Sequence, residues 1–370
     1  MAHGKRLFFT VTNDLVFDQR MTRICTSLAG AGYTVTLVGR RHRDSPALTE
    51  QPYRQRRLNT WFRRGRSFYI EYNLRLLFFL LFQPMDGLCA IDLDTILPVY
   101  LISRLRRKTR LYDAHELFCE MQEVVTRPNV YKLWKKIERF AVPRFRHGYT
   151  VNGHIAAEFK KMYGVNYAVI RNMPLLNEDP VPPPARPLPP APFFLYQGAV
   201  NEGRCFETLI PAMQHVPAPL IICGDGNFMA QARALVRQYR LEEKVIFLGM
   251  IPPGELPAIT RAARAGITLF DRRGISNYYS LANRFFDYMH AGIPQLAVNY
   301  PAYREINNSC PVAVCIDEPG IGEIAGALNQ LLDNTGLHRT LADNCKQARL
   351  RYNWQEEQQL LIRLYQEIFN

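Results

Sequence analysis

Strand and helix signals alternate through residues 6–113, a proline-rich stretch interrupts them, and the alternation restarts at residue 192. These observations predict an α/β chain built as two Rossmann-like domains that face an interdomain cleft. The length agrees, because 370 residues exceed what one core usually organises. The expected boundaries are 1–173 for the first domain, 174–192 for a linker, 193–350 for the second domain, and 351–370 for a helix packing back toward the first.

Each element has a local reason. Residues 6–12 (RLFFTVT) are apolar and suit a buried strand, followed by a loop and a helix over 18–30. Residues 33–39 form the next strand, and a β-α-β order feeds a parallel sheet through right-handed crossovers. Short strands follow at 87–91 and 110–113, with a helix between them. From 174 to 192, nine of nineteen residues are proline. Proline fixes φ and lacks a backbone donor, so this stretch reads as a semi-stiff linker. The second half then offers strands at 192–197, 220–223, 245–248, 265–270 and 294–298. Helices are expected at 205–214, 228–239, 254–263 and 281–291, and the tail from 351 reads as an amphipathic helix.

Composition narrows the class of function. Hydrophobic residues make up 48% of the chain, which is globular. The strongest apolar run, residues 76–82, is far shorter than the ~20 residues of a membrane-spanning helix. The first residues run straight into Leu7, Phe8 and Phe9 without a small-residue cleavage site, so a cytoplasmic protein, soluble or peripheral on the inner face of the membrane, is expected. Eight scattered cysteines form no CxxC pair, so reduced thiols and no metal site are expected.

Charge is uneven. Residues 1–172 hold 29 Lys and Arg against 14 Asp and Glu, whereas residues 173–370 hold 17 against 19. The excess clusters at 54–57, 63–66, 104–110 and 132–146, and Trp61, Phe62 and Tyr69 interleave with it. Such a surface seeks a polyanion, and anionic lipid headgroups are the expected partner. Nucleic acid is not expected, because no recognition motif accompanies the patches and the second half is not basic.

Two segments carry chemistry. Gly224-Asp225-Gly226 closes an apolar strand before a helix, where glycines let backbone N–H groups approach a ligand or simply make the turn. The stronger signal is 276–294, a polar approach running into a helix that stops at Gly292-Ile293-Pro294. A helix start with unpaired N–H groups suits a diphosphate, and Arg284 in its first turn adds charge-assisted donors. Asp287, about a turn further on, is placed to accept from sugar or ribose hydroxyls, or to be a surface charge.

The chain resembles the retaining glycosyltransferases of family 4, which have the GT-B fold. The matching pieces are 196–204 (YQGAVNEGR), 223–226 (CGDG), 247–251 (FLGMI), 280–294 (SLANRFFDYMHAGIP), 12–20 (TNDLVFDQR) and 112–116 (YDAHE). The last two resemble a bacterial subgroup. The resemblance implies a nucleotide-diphosphate sugar as donor, bound by the second domain, and a saccharide or lipid-linked acceptor, bound by the first. It also implies no metal ion or other cofactor, and a place in cell-envelope polysaccharide synthesis. Donor contacts would come from Gly198, Arg204, Gly224, Gly226, backbone groups at Ile251, Ser280 and Leu281, and from Tyr279, Asn283, Arg284 and Asp287. His115 would stand near the transferred sugar as the catalytic residue. Asn13, Asp14, Asp18, Arg20 and Glu116 would meet the acceptor.

Three positions depart from the family pattern. Tyr279 stands where the first of two paired acids belongs, Asp287 is one methylene shorter than the usual second acid, and Asn13-Asp14-Leu15 replaces a glycine-rich turn. The alternatives are therefore a GT-B epimerase acting on a nucleotide sugar, a phosphorylase, and a catalytically silent GT-B partner subunit.

Overall fold

The computed structural model describes residues 4–43, 45–179, 181–189 and 192–369. It divides into two compact units, one of residues 1–172 with 356–370 and one of residues 173–355. The proline-rich stretch groups with the second unit. There Arg186 Nη2 meets Glu255 at 2.8 Å, and the Gln355 side chain bonds both the N–H and the carbonyl of Leu176 at 2.9 Å.

The first unit holds seven parallel strands in the order β3-β2-β1-β4-β5-β6-β7. They are β1 (Arg6–Thr10), β2 (Thr34–Arg41), β3 (Arg54–Asn59), β4 (Gly87–Ile91), β5 (Thr109–Ala114), β6 (His147–Thr150) and β7 (Ala168–Val169). The helices are α1 (Gln19–Gly30), α2 (Gly65–Leu81), α3 (Ile96–Leu105), α4 (Gln122–Val125), α5 (Pro128–Ala141) and α6 (Gly153–Tyr163). Asp18 caps α1 by accepting from Met21 N at 3.0 Å. Asn152 caps α6, and Gly164 ends it in the left-handed region that glycine adopts freely.

β3, at one of the basic clusters, occupies the edge of the sheet. Its arginines suit an edge strand, because charge there discourages pairing with another chain. The tail helix, α15 in chain order (Trp354–Phe369), contributes its residues from 356 onward to this unit. Tyr365 packs 6.1 Å from the Phe9 ring and 6.2 Å from that of Tyr33, and the Phe369 ring fills the space where Gly87 lacks a Cβ.

The second unit holds six parallel strands in the order β10-β9-β8-β11-β12-β13. They are β8 (Phe194–Gln197), β9 (Leu220–Cys223), β10 (Val245–Gly249), β11 (Ala265–Thr268), β12 (Gln295–Val298) and β13 (Ala313–Ile316). Its helices are α7 (Phe206–Ala212), α8 (Met229–Gln238), α9 (Leu256–Ala262), α10 (Ile275–Tyr278), α11 (Asn283–Ala291), α12 (Pro301–Ser309), α13 (Ile321–Asp333) and α14 (Thr335–Arg351). In both units the chain reverses its direction of winding beside the first strand, between β1 and β4 and between β8 and β11. Loops leaving the carboxyl ends of the strands at such a switch point form a crevice where ligands bind.

Candidate functional site

At the switch point of the second unit the two loops bring two arginines together, and neither is ion-paired among the described residues. Arg284, on the first turn of α11, is buried with 8% exposure. Its guanidinium lies over the rings of Tyr196 (4.6 Å) and Phe270 (4.8 Å) and reaches only the Leu269 carbonyl, at 3.5 Å. Its Nε is buried without a partner. Arg204, from the β8 loop, lies over the same Phe270 ring at 4.5 Å and donates to the Asn277 side-chain oxygen at 3.0 Å. Asp271, the acid beside them, is engaged by Arg273 at 2.7 Å and by the Asn277 amide at 3.2 Å. Among the described residues neither Arg204 nor Arg284 forms an ion pair. Two guanidinium groups on one ring, with donors left over, form a set that could hold an anion.

The glycines have divided roles. A Cβ on Gly198 would come 3.3 Å from Arg284 Nη1, so its absence keeps that edge of the guanidinium open. Gly224 and Gly226 are required by packing. Added Cβ atoms would collide with the Gly198 carbonyl and with Asn201 and Val200. Their N–H groups are spent on Gly249 O and on the Asp225 side chain, so the ligand cradle expected there is a turn-on-turn contact.

The helix start also differs from expectation. α11 begins at Asn283, because the preceding N–H groups are held elsewhere: Ser280 N by Asn277 O at 3.2 Å and Ala282 N by the Tyr303 hydroxyl at 2.9 Å. Ser280 N–H is thus not available to a phosphate, whereas that of Leu281 has no partner among the described residues. Asp287 is no loose surface charge, since it accepts from Gln197 Nε2 at 3.0 Å at the end of β8. Tyr279 packs against Tyr278 with 5.2 Å between rings and supplies no carboxylate. Ile251 follows β10 and leans half-buried on a small core cluster.

At the equivalent place in the first unit the charges are paired. Asp113, at the end of β5 and fully buried, takes two bonds from Arg20, from Nη2 at 2.8 Å and Nε at 3.3 Å. Arg20 Nη1 reaches the Ile170 carbonyl at 3.2 Å. The Asp113 oxygen that meets Arg20 Nε also lies 3.3 Å from His115 Nε2, and Asp92 lies 3.1 Å from His115 Nδ1. Burial disfavours the imidazolium, but Asp92 and Asp113 together outweigh it and raise the His115 pKa well above its ordinary value. Burial likewise pushes Asp113 up, and Arg20 and His115 overcome it, leaving that carboxyl low.

Both nitrogens of His115 are therefore occupied, so the ring as held does not offer one to a sugar hydroxyl. Arg20 and Asp14, expected at the acceptor, are also committed inside the unit. Asp14 meets Arg57 Nη2 at 3.4 Å and accepts from Val16 N and the Ser45 hydroxyl. Asn13 remains exposed, Asp18 and Glu116 half-buried. A cavity of about 610 Å³ lies over Asn13 and Asp18, walled by Arg40, Arg63, Arg64 and Tyr69.

Asp92 and Asp94 went unread in the sequence. The available signal was two acids directly after the strand at 87–91. Asp92 adopts a left-handed backbone (φ 55°), which aims its carboxylate at both the ring and the N–H of His115. Asp94 receives the Thr12 hydroxyl, and burial together with Asp92 raises its pKa to about 7. No cluster of three or more His, Cys, Asp or Glu suited to a metal ion occurs among the described residues.

Residues 186–348, within the second unit, match the family described as Glycosyl transferases group 1. No curated protein sequence matches the chain. Among solved structures, sucrose-phosphate synthase from Thermosynechococcus elongatus is similar with a TM-score of 0.80 at 17% identity, over 99% of each chain. Anabaena HepE in complex with UDP-glucose is similar with a TM-score of 0.73 at 12% identity, over 98% of this chain and 99% of that one. WaaG, a glycosyltransferase involved in lipopolysaccharide biosynthesis, is similar with a TM-score of 0.68 at 12% identity, over 96% and 98%. The fold is thus GT-B, two Rossmann-like units in one chain.

Proposed function

We propose that the protein is a retaining glycosyltransferase that moves a sugar from a nucleotide-diphosphate sugar to a saccharide or lipid-linked acceptor at an anionic membrane surface, in cell-envelope polysaccharide synthesis. The observation that carries this reading is the pair of guanidinium groups, Arg204 and Arg284, without anionic partners at the switch point of the second unit. As the bond from the anomeric carbon to phosphate breaks, negative charge grows on the departing diphosphate. Fixed cations that need no reorganisation stabilise that charge most effectively. They do so here without a metal ion, assisted by Leu281 N–H and the start of α11. The acceptor hydroxyl attacks the anomeric carbon and its proton passes to the departing phosphate oxygen. Asp287 and Asn283 orient the sugar or ribose, and Ile251 supports the base. In the first unit, Asn13, Asp18 and Glu116 bind the acceptor while His115 is a fixed cation beside it. The family match over 186–348 and the likeness to HepE with UDP-glucose support the donor class.

Thermal shift with UDP-, GDP- and ADP-glucose, followed by product identification, tests the reading. One of them should raise the Tm, and the sugar should reappear on an acceptor with its anomeric configuration kept. Absence of binding to all three would remove the donor site. Tyr279 favours a second reading, a silent partner subunit, and binding without turnover would select it.

A further inference from the structure

Helix α2 is apolar on two opposite sides. Phe68, Tyr72, Leu76 and Leu80 are buried, while Ile70, Leu74 and Phe78 form a second row displaced by two residues, about 200° around the helix. That row is exposed: Phe78 to 61%, and Phe82, just past the helix end, to 78%. α3 packs beside α2, and Arg106 Nη1 ties their ends together through the carbonyls of Gln83 and Leu80. α3 adds exposed Leu101 and Leu105 to the same outer side. Of the eighteen exposed large apolar side chains among the described residues, eight lie between residues 61 and 105, which is clustering and not scatter.

The surroundings name the occupant. Arg63, Arg64, Arg66, Arg104 and Arg107 are exposed around this face, and α5 beyond α3 presents Lys132, Lys136 and Arg139. The three helices contain only two carboxylates. Glu71 is held by Arg75 and by the N–H groups of Trp61 and Phe62, and Glu138 is buried against Lys135 and Tyr163. A second copy of the chain would therefore bring like charge to like charge. An apolar row framed by unpaired cations instead matches a bilayer with anionic headgroups.

We propose that the outer face of α2 and α3 inserts into an anionic bilayer, with Ile70, Leu74, Phe78 and Phe82 entering the lipid and the surrounding arginines on the headgroup phosphates. The face begins at Trp61 and Arg63, beside the cavity over Asn13 and Asp18, so that cavity receives its acceptor from the lipid surface. This deepens the membrane part of the proposed function and rests on that reading for the acceptor alone.

Vesicle flotation tests it with phosphatidylcholine alone and with 30 mol% phosphatidylglycerol, at low and high salt. Wild-type protein should float with the anionic vesicles only, and salt should release it. Leu74→Ser with Phe78→Ser should lower the partition coefficient at least tenfold while the Tm holds, because both side chains are exposed. Phe82→Ser alone, outside the helix, should lower it severalfold and guards against a folding defect in the double variant. Titration of the same preparations with UDP, GDP and ADP reads the donor site separately, and its affinity should not change. Donor binding without flotation, or flotation unchanged in the variants, would overturn the insertion face and leave the transferase reading standing. A wild-type dimer in sedimentation that the double variant turns into monomer would assign the face to self-association instead.

Discussion

The two switch points have the same topology and opposite electrostatics. In the first unit Arg20, Asp113, His115 and Asp92 satisfy one another, and the strand ends are locked. In the second unit Arg204 and Arg284 keep donors to spare. A buried charge network that is complete holds geometry, whereas one that is left incomplete waits for a ligand. The sheet order places a crevice in both units, but the arginines and acids there are paired with one another only in the first.

Breaking the closed network should have the largest effect. Arg20→Met leaves Asp113 buried without its main counter-charge, and such losses cost about 3–5 kcal/mol. Urea unfolding should show this, and the further change Asp113→Leu should recover much of it. A loss below about 1 kcal/mol would mean that the pair does not hold the unit together.

The open network should respond in the opposite sense. Arg284→Met keeps the volume between Tyr196 and Phe270 and removes a guanidinium with an unpartnered Nε. Stability should hold, while nucleotide-diphosphate affinity should drop by about 1.5–3 kcal/mol, the usual range for bonds to a charged group. Calorimetry together with thermal unfolding separates the two effects, and a loss of stability without loss of affinity would reverse the contrast between the units.

Titration sharpens the contrast further. The folded-state pKa of His115 is raised, so its stabilising contribution is complete below about pH 6.5 and fades as alkaline pH passes the folded value. The stability advantage of wild type over His115→Asn should accordingly shrink on the alkaline side. Asp94 is an acid with a raised pKa, so its contribution is present below about pH 4 and lost as pH climbs to about 7. Asp94→Asn should gain on wild type over that interval by about 2 kcal/mol, roughly half the unscreened value because the side chain is partly exposed. A difference that stays flat with pH would place Asp94 in contact with solvent.

How much of this was legible beforehand depended on how local the cause was. β4 and β9 were read to the residue because continuous apolar runs mark buried strands. β3 escapes such a reading because an arginine-rich edge strand carries no apolar alternation. Residue types at the proposed donor site are legible through Arg204 and Arg284. What they touch was not, since stacking on Phe270 unites segments about eighty residues apart in the chain. The start of α11 was misplaced by two residues because a tertiary contact, Tyr303 to Ala282 N, competes with helical capping. Gly224 and Gly226 looked like a phosphate cradle, and only the approach of the neighbouring turn reveals why they are glycines.

The most direct measurement compares a nucleoside diphosphate with its monophosphate by calorimetry, using whichever of UDP, GDP or ADP binds. In wild type the second phosphate should add at least tenfold to the affinity, and in the variant carrying both Arg204→Met and Arg284→Met that increment should vanish. An increment that survives intact in the double variant would show that the diphosphate sits elsewhere and that these two arginines do not form the site.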